Sequence, residues 1–296
     1  METEGACEGA TPMVGELVST ETVDGVRLDG FWVRGSTTDC WLVTHGVNGN
    51  FYGSSLLKEF ANTLASTGSN VLLVNSRGHD IVSFNSGSVP MRLGSQFEMI
   101  YQSLNDFNAW QSFCREHRMQ LKGIGAHSLG ALKAAYWLAE TSGVEVERYI
   151  SLSPPRLSTS ILAEDPKRGE VFCKDLQLAK ELCESSRSDQ VIRVRYPLPN
   201  WLSAATFLDK YGSDDRYDYF GWLEKISQQT LWVFGESEVR NGSGNFRDAD
   251  LNLSHRFAEK SLYQHTVEVI AGGDHSYRGV REPLWQTIAS WLTRSL

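Results

Sequence analysis

Nowhere in the 296 residues does an apolar run approach the roughly 20 residues that span a bilayer as a helix, so no membrane-spanning segment is expected. The opening stretch, METEGACEGATPM, is acidic and has neither a basic n-region nor an apolar h-region. It reads as a loose tail over residues 1–14 and not as a signal peptide. Cysteine is scarce. Cys7, Cys40, Cys114, Cys173 and Cys183 form an odd set with no CxxC and no Cys/His metal spacing, which argues against structural zinc and for reduced thiols in a cytoplasmic setting. Positive charge is in deficit: the formal net charge of -8 opposes attraction to nucleic acid phosphates or anionic lipid. Nucleic acid and membranes are therefore not expected partners, and no internal repeat or long low-complexity tract suggests a solenoid or a linker.

What is present is an ordinary globular composition, 41% hydrophobic and 22% charged, in a chain long enough for one α/β domain carrying an insertion. Short β-branched runs alternate with longer periodic ones. Residues 15–34 alternate apolar and polar around Asp24-Gly25, a pair suited to a hairpin turn, and predict an antiparallel edge. CWLVTHG (40–46) and NVLLVNSRG (70–78) read as buried strands joined by a helix across Ser54–Ser66. A helix near 94–118 follows, then strand 121–128, helix 129–140 and strand 146–153, which Pro154-Pro155 ends. Strands 230–237 and 265–272 flank a helix near 253–262, and an amphipathic helix over 281–296 closes the chain. Between 156 and 228 the strand pattern gives way to charged and aromatic helical stretches. The expected organisation is thus a mostly parallel, helix-flanked core over 15–155 and 229–296, with a helical cap over 156–228.

The segment GIGAHSLGAL (123–132) places Ser128 where a strand turns into a helix. A serine hydroxyl is a weak nucleophile that needs a base within hydrogen-bond reach and a third group to orient that base. Ala126-His127-Ser128-Leu129-Gly130 fits the small-x-Ser-x-Gly elbow, with alanine in place of the commoner first glycine. Small neighbours clear space for the sharp turn, and the amides at the helix start face a developing oxyanion. In chain order the acid and then the histidine follow such an elbow. AGGDHSY (271–277) offers His275 as the base, on a loop that Gly272-Gly273 can tighten. His117, His255 and His265 fall within or beside helices and strands and read as structural. WVFGESEVR supplies the acid: Glu238 is preferred, with Glu236, Asp248 and Asp250 as the other carboxylates on offer. A glutamate carries one more methylene than an aspartate, so its backbone must sit differently. THGVNGNFYG (44–53) should furnish the other oxyanion donor, which assigns the hole to the amides of Val47 and Leu129. Gly46 would let this backbone approach the substrate, and His45 would hold the loop by hydrogen bonding.

Strand-HG, RGHD, A-H-S-L-G, G-E-S-E and G-D-H, in that order, resemble the α/β-hydrolase superfamily over residue 15 to the end. HGVNGNFYGSS, NSRGHD and LSPP further resemble a smaller group that includes fungal siderophore esterases. The superfamily resemblance implies the α/β-hydrolase fold, a mostly parallel central sheet flanked by helices, and serine ester or amide hydrolysis through an acyl-enzyme, with no metal or organic cofactor. It also favours Glu238, three residues past Gly235, where that superfamily usually carries its acid. The RGHD loop would lie near the pocket, with Arg77 and Asp80 as bracing ions and His79 lining the site.

Substrate choice falls to the cap. Trp201, Phe207, Tyr211, Tyr217, Tyr219, Phe220 and Trp222 would either wall a pocket for a flat acyl or aryl group, with Trp201 among its contacts, or form the cap's own packing core. The expected partner is a small-molecule ester or acyl compound. An acyltransferase or thioesterase, and a non-catalytic receptor on the same fold, are the competing readings.

Overall fold

The computed structural model describes residues 13–293. The expected tail therefore lies almost wholly outside the described residues, as do Cys7 and the last three residues of the expected closing helix. The central sheet holds eight strands: β1 (Glu16–Glu21), β2 (Arg27–Val33), β3 (Asp39–Thr44), β4 (Asn70–Val74), β5 (Gln120–His127), β6 (Arg148–Leu152), β7 (Gln229–Gly235) and β8 (His265–Ile270). Their spatial order is β1-β2-β4-β3-β5-β6-β7-β8. The β1–β2 hairpin runs antiparallel and joins β4 antiparallel, whereas every pairing from β4 to β8 is parallel. All five residues of β4 are buried, as befits a strand covered on both faces, which is why NVLLV reads as a continuous apolar run.

Helices fill the crossovers. α1 (Ser55–Ala65) joins β3 to β4, α2 (Ser103–Glu116) joins β4 to β5, and α3 (Leu129–Glu140) joins β5 to β6. α4 (Thr159–Ala163), α5 (Gly169–Glu184) and α6 (Ala204–Tyr211) lie between β6 and β7; α7 (Glu236–Asn241) and α8 (Ala249–Lys260) lie between β7 and β8; α9 (Arg281–Leu292) follows β8. α1 begins on the Ser54 side chain, which accepts the Leu57 amide hydrogen at 3.2 Å. One face of the sheet buries Trp110, Leu132, Trp137 and Leu253 from α2, α3 and α8, and the other buries Leu57, Phe60, Leu284 and Ile288 from α1 and α9. Each fully buried side chain of this size contributes roughly 1.5–3 kcal/mol, so the strand ends are held as a rigid platform. Among the described residues, no helix is long and apolar enough to cross a membrane.

Two stretches differ from expectation. The helix expected from residue 94 starts only at Ser103, after a short 3-10 turn at Ile100–Gln102. The amides of Gly94, Ser95 and Gln96 instead donate to the carbonyls of Arg77, Asp80 and Ile81, which commits this segment to the RGHD loop. The block 156–228 is also not purely helical. Val191–Val194 and Asn200–Ser203 pair as a small antiparallel hairpin, whose four-residue strands and intervening Pro197 and Pro199 hide the period-2 signal.

Candidate active site

At the carboxyl end of β5 the backbone of Ser128 takes φ 56° and ψ -126°, the left-handed side of conformational space. That geometry costs a non-glycine residue about 1–3 kcal/mol and persists only where surroundings over-determine it. Here the Ser128 amide donates to Leu152 O at 2.8 Å, and the Ser128 carbonyl accepts from Ala131 N at 3.0 Å as α3 begins. The small residues are sterically required. A Cβ on Gly130 would lie 2.2 Å from His45 O, and one on Gly46 would lie 2.9 Å from the Ser128 Cβ. The loop after β3 can therefore press against the elbow only without those side chains.

Three distant segments meet at Ser128. His275 Nε2 lies 3.0 Å from Ser128 Oγ, and His275 Nδ1 lies 2.5 Å from Glu238 Oε1. The glutamate is buried, while the imidazole is 43% exposed and so reaches the cleft. Glu238 Oε2 accepts the Gly235 amide hydrogen at 2.9 Å and the Ser153 hydroxyl hydrogen at 2.6 Å. The extra methylene of the glutamate lets its carboxylate turn back over the start of α7. With the Ser153 proton committed to Glu238, the single proton of Tyr277 OH is shared between Ser153 Oγ at 2.8 Å and Val233 O at 3.0 Å. The other carboxylates are engaged elsewhere: Glu236 Oε2 accepts from Gly272 N at 2.8 Å, Asp250 pairs with Arg240 at 2.6 Å, and Asp248 lies 3.9 Å from the same arginine. Ser153 and Tyr277 had no signal in the sequence beyond their closeness to Pro154-Pro155 and His275.

Two further histidines support this geometry. His127 Nε2–H donates to the His275 carbonyl at 2.8 Å, and enclosure together with the neighbouring imidazole pushes its pKa down to about 3. His45 is buried; its Nδ1–H donates to Gly46 O at 2.8 Å, and its Nε2 accepts from Ser76 N at 3.2 Å. Burial and the Lys133 ammonium lower its pKa to about 4, so the ring stays neutral and braces the loop. No loop or turn bond takes up the amide hydrogen of Val47 or Leu129 among the described residues, and Leu129, first in its helix, has no intrahelical acceptor.

A cavity of about 310 Å³ opens beside Ser128 and His275, walled by Val47, Leu129, Pro155, Leu157, Pro197, Leu198, Tyr211 and Phe246, with Lys210, Ser243 and Asn245 as its polar part. A second recess of about 510 Å³, which shares Val47, Ser128, Leu198 and His275 with the first, is also lined by Gly46, Asn48, Asn50, Ser54 and His127. Two expected contacts lie elsewhere. His79 is tied to Asp80 at 2.8 Å and faces a different recess with Tyr52 and Asn75, because the RGHD loop is turned toward the β1–β2 hairpin. Trp201 sits opposite Arg193 in the small hairpin, 52% exposed, outside both recesses at Ser128. Of the aromatic set in that block, only Tyr211 lines the cavity. Phe207 packs on Tyr211 with centroids 5.1 Å apart, and Tyr219 stacks on Trp232 at 5.3 Å. Arg77 and Asp80 serve as braces: Arg77 binds Asp24 and Asp106, and Asp80 accepts from Asn50 at 2.7 Å.

No protein-family model matches the chain, and no curated protein matches it in sequence. Solved structures do match in shape. An esterase of Pyrococcus furiosus, Pf2001, superposes with TM-score 0.62 at 15% identity, over 98% of this chain and 95% of that one. Est1E from Butyrivibrio proteoclasticus with bound ferulic acid gives 0.63 at 14% identity over 92% and 97%. The α/β hydrolase GrgF from Penicillium sp. sh18 gives 0.64 at 13% identity over 92% and 96%. At such low identity the shared property is the fold.

Proposed function

We propose, from the α/β-hydrolase fold this chain shares with those structures, that it is a serine hydrolase cleaving carboxylic esters through an acyl-enzyme. The observation that carries this reading is the unbroken relay from Ser128 Oγ through His275 to Glu238, with contacts of 3.0 and 2.5 Å. In the proposed reaction Ser128 Oγ attacks the ester carbonyl while His275 Nε2 takes its proton. The carbonyl oxygen gains the negative charge and is met by the Val47 and Leu129 amides. Donors of this kind are worth roughly 2.7–4 kcal/mol of transition-state stabilisation. Glu238 stabilises the imidazolium through Nδ1. Collapse of the tetrahedral adduct breaks the ester C–O bond, and His275 returns the proton to the departing alkoxide. Water then attacks the acyl-enzyme by the same steps in reverse, releasing the acid and restoring Ser128.

The two recesses flanking Ser128 suit an acyl group on one side and an alcohol on the other, and 310 Å³ suits a small or medium-sized, largely apolar group. The ferulic acid in Est1E supports including aromatic acids in the substrate class. Residues 156–228 would act as the cap over the core of 15–155 and 229–296, since Leu157, Pro197, Leu198 and Tyr211 come from that block. A fluorophosphonate probe and a panel of p-nitrophenyl esters test the reading. Labelling at Ser128 and turnover of at least one ester, both lost in Ser128→Ala, are expected. Labelling without any turnover would favour a receptor on the same fold, and failure to label would remove Ser128 as nucleophile.

A further inference from the structure

Lys210, on α6, forms part of the cavity wall with its charge only partly met. The residue is 3% exposed, and its Nζ lies 3.4 Å from Glu98 Oε1. The other oxygen of Glu98 is held more closely by Lys133 Nζ, which also donates to Ser76 Oγ at 3.0 Å. One carboxylate thus serves two ammonium groups, and the better contact belongs to Lys133. The next carboxylate, Asp209, is spent: Oδ2 accepts from Ile100 N at 2.8 Å and Tyr217 OH at 3.2 Å, and Oδ1 accepts from Arg216 at 3.2 Å. An ammonium carries three donors, and a buried charge without matching acceptors is costly. Among the described residues Lys210 has one hydrogen-bond acceptor, at long range, and beside it the face of the Tyr217 ring, whose centroid lies 5.8 Å from Nζ. Asn245, in the same wall, accepts the Ser243 hydroxyl hydrogen on Oδ1, which leaves its amide NH2 as a second donor group without an acceptor among the described residues. Burial also pulls the Lys210 pKa down while Glu98 opposes the shift, consistent with a charge short of counter-charge.

We infer that this end of the cavity binds a carboxylate, so that the esters cleaved at Ser128 carry an acid group remote from the scissile carbonyl; the inference rests on the hydrolase reading for the reaction, though not for the binding. A carboxylate offers two charge-assisted acceptors to Lys210 and Asn245, whereas a methyl-ended chain would offer Lys210 no acceptor beyond Glu98 and Asn245 none.

The test compares p-nitrophenyl monoesters of dicarboxylic acids, succinate through suberate, with p-nitrophenyl alkanoates of matched length. The wild type is expected to prefer the acid-ended ester at one or more lengths, and Lys210→Met to lower the ratio of the two kcat/KM values by about tenfold. Calorimetry on Ser128→Ala with the corresponding monoethyl esters and ethyl alkanoates reads the same preference without turnover. Preference for the alkanoate at every length overturns the inference, as does an unchanged ratio in a folded Lys210→Met protein. If that variant fails to fold, the wild-type preference and the Ser128→Ala titration decide. Alkanoate turnover with no acid preference would sink the carboxylate site alone. Acid-selective binding without turnover of any ester would sink the hydrolase reading alone.

Discussion

Two polar networks in this protein, each centred on a buried charged group, are built from similar parts and end differently. Around Arg77, 3% exposed, the backbone amide and Nε donate to Asp106 at 2.9 and 2.8 Å, while the two terminal nitrogens donate to Asp24 at 2.7 and 3.0 Å. Every one of these bonds joins two groups of the chain, tying the hairpin turn, the RGHD loop and α2 together. Around Glu238 the carboxylate is equally well held by Gly235, Ser153 and His275, but the chain of bonds runs on to Ser128 Oγ and stops at a cavity. A closed network spends its polar groups on shape. The other ends in a hydroxyl that borders a cavity.

The largest expected effect separates the two directly. Ser128→Ala should lower kcat on the best ester by roughly 10^4- to 10^6-fold with an unaltered melting temperature, and Glu238→Ala by about a hundredfold less. A large loss of stability in Ser128→Ala would erase the distinction. Arg77→Met should do the opposite: with Asp106 left buried without its counter-ion, about 3–5 kcal/mol of stability should vanish, read as a lower denaturation midpoint. A protein as stable as wild type would show that the closed network does not hold the fold. The smallest effect sharpens the comparison from inside the open network. Ser153→Ala removes one of three bonds to Glu238 and should lower kcat by about tenfold with KM nearly constant. A change confined to KM would place Ser153 in substrate binding instead.

Ser128 and the strand before it were readable because an elbow imposes local demands: small residues at fixed offsets and a strand-to-helix switch within ten residues. The position of His275 followed from chain order and a glycine-rich loop. The carboxylate that meets His275 was harder to read, since Glu236, Glu238, Asp248 and Asp250 crowd one segment, and what separates them is which neighbours claim each carboxylate: Gly272 for Glu236, Arg240 for Asp250, His275 for Glu238. The hairpin at 191–203 went unread because prolines and four-residue strands carry little periodicity. His79 and Trp201 were expected at the pocket by their neighbourhood in sequence, yet the direction in which a loop or a small hairpin faces depends on packing partners far along the chain.

The sequence by itself determined the alternation of strands and helices and the sharp turn that sets Ser128 at the end of β5, because dihedral preferences and hydrophobic period act over a few residues. Only the tertiary structure decided which carboxylate meets the imidazole, that Ser153 and Tyr277 stand behind it, and that Lys210 shares its counter-ion beside the cavity. Those are contacts between residues tens to more than a hundred positions apart, where distance and competition for hydrogen-bond partners, rather than local propensity, set the outcome.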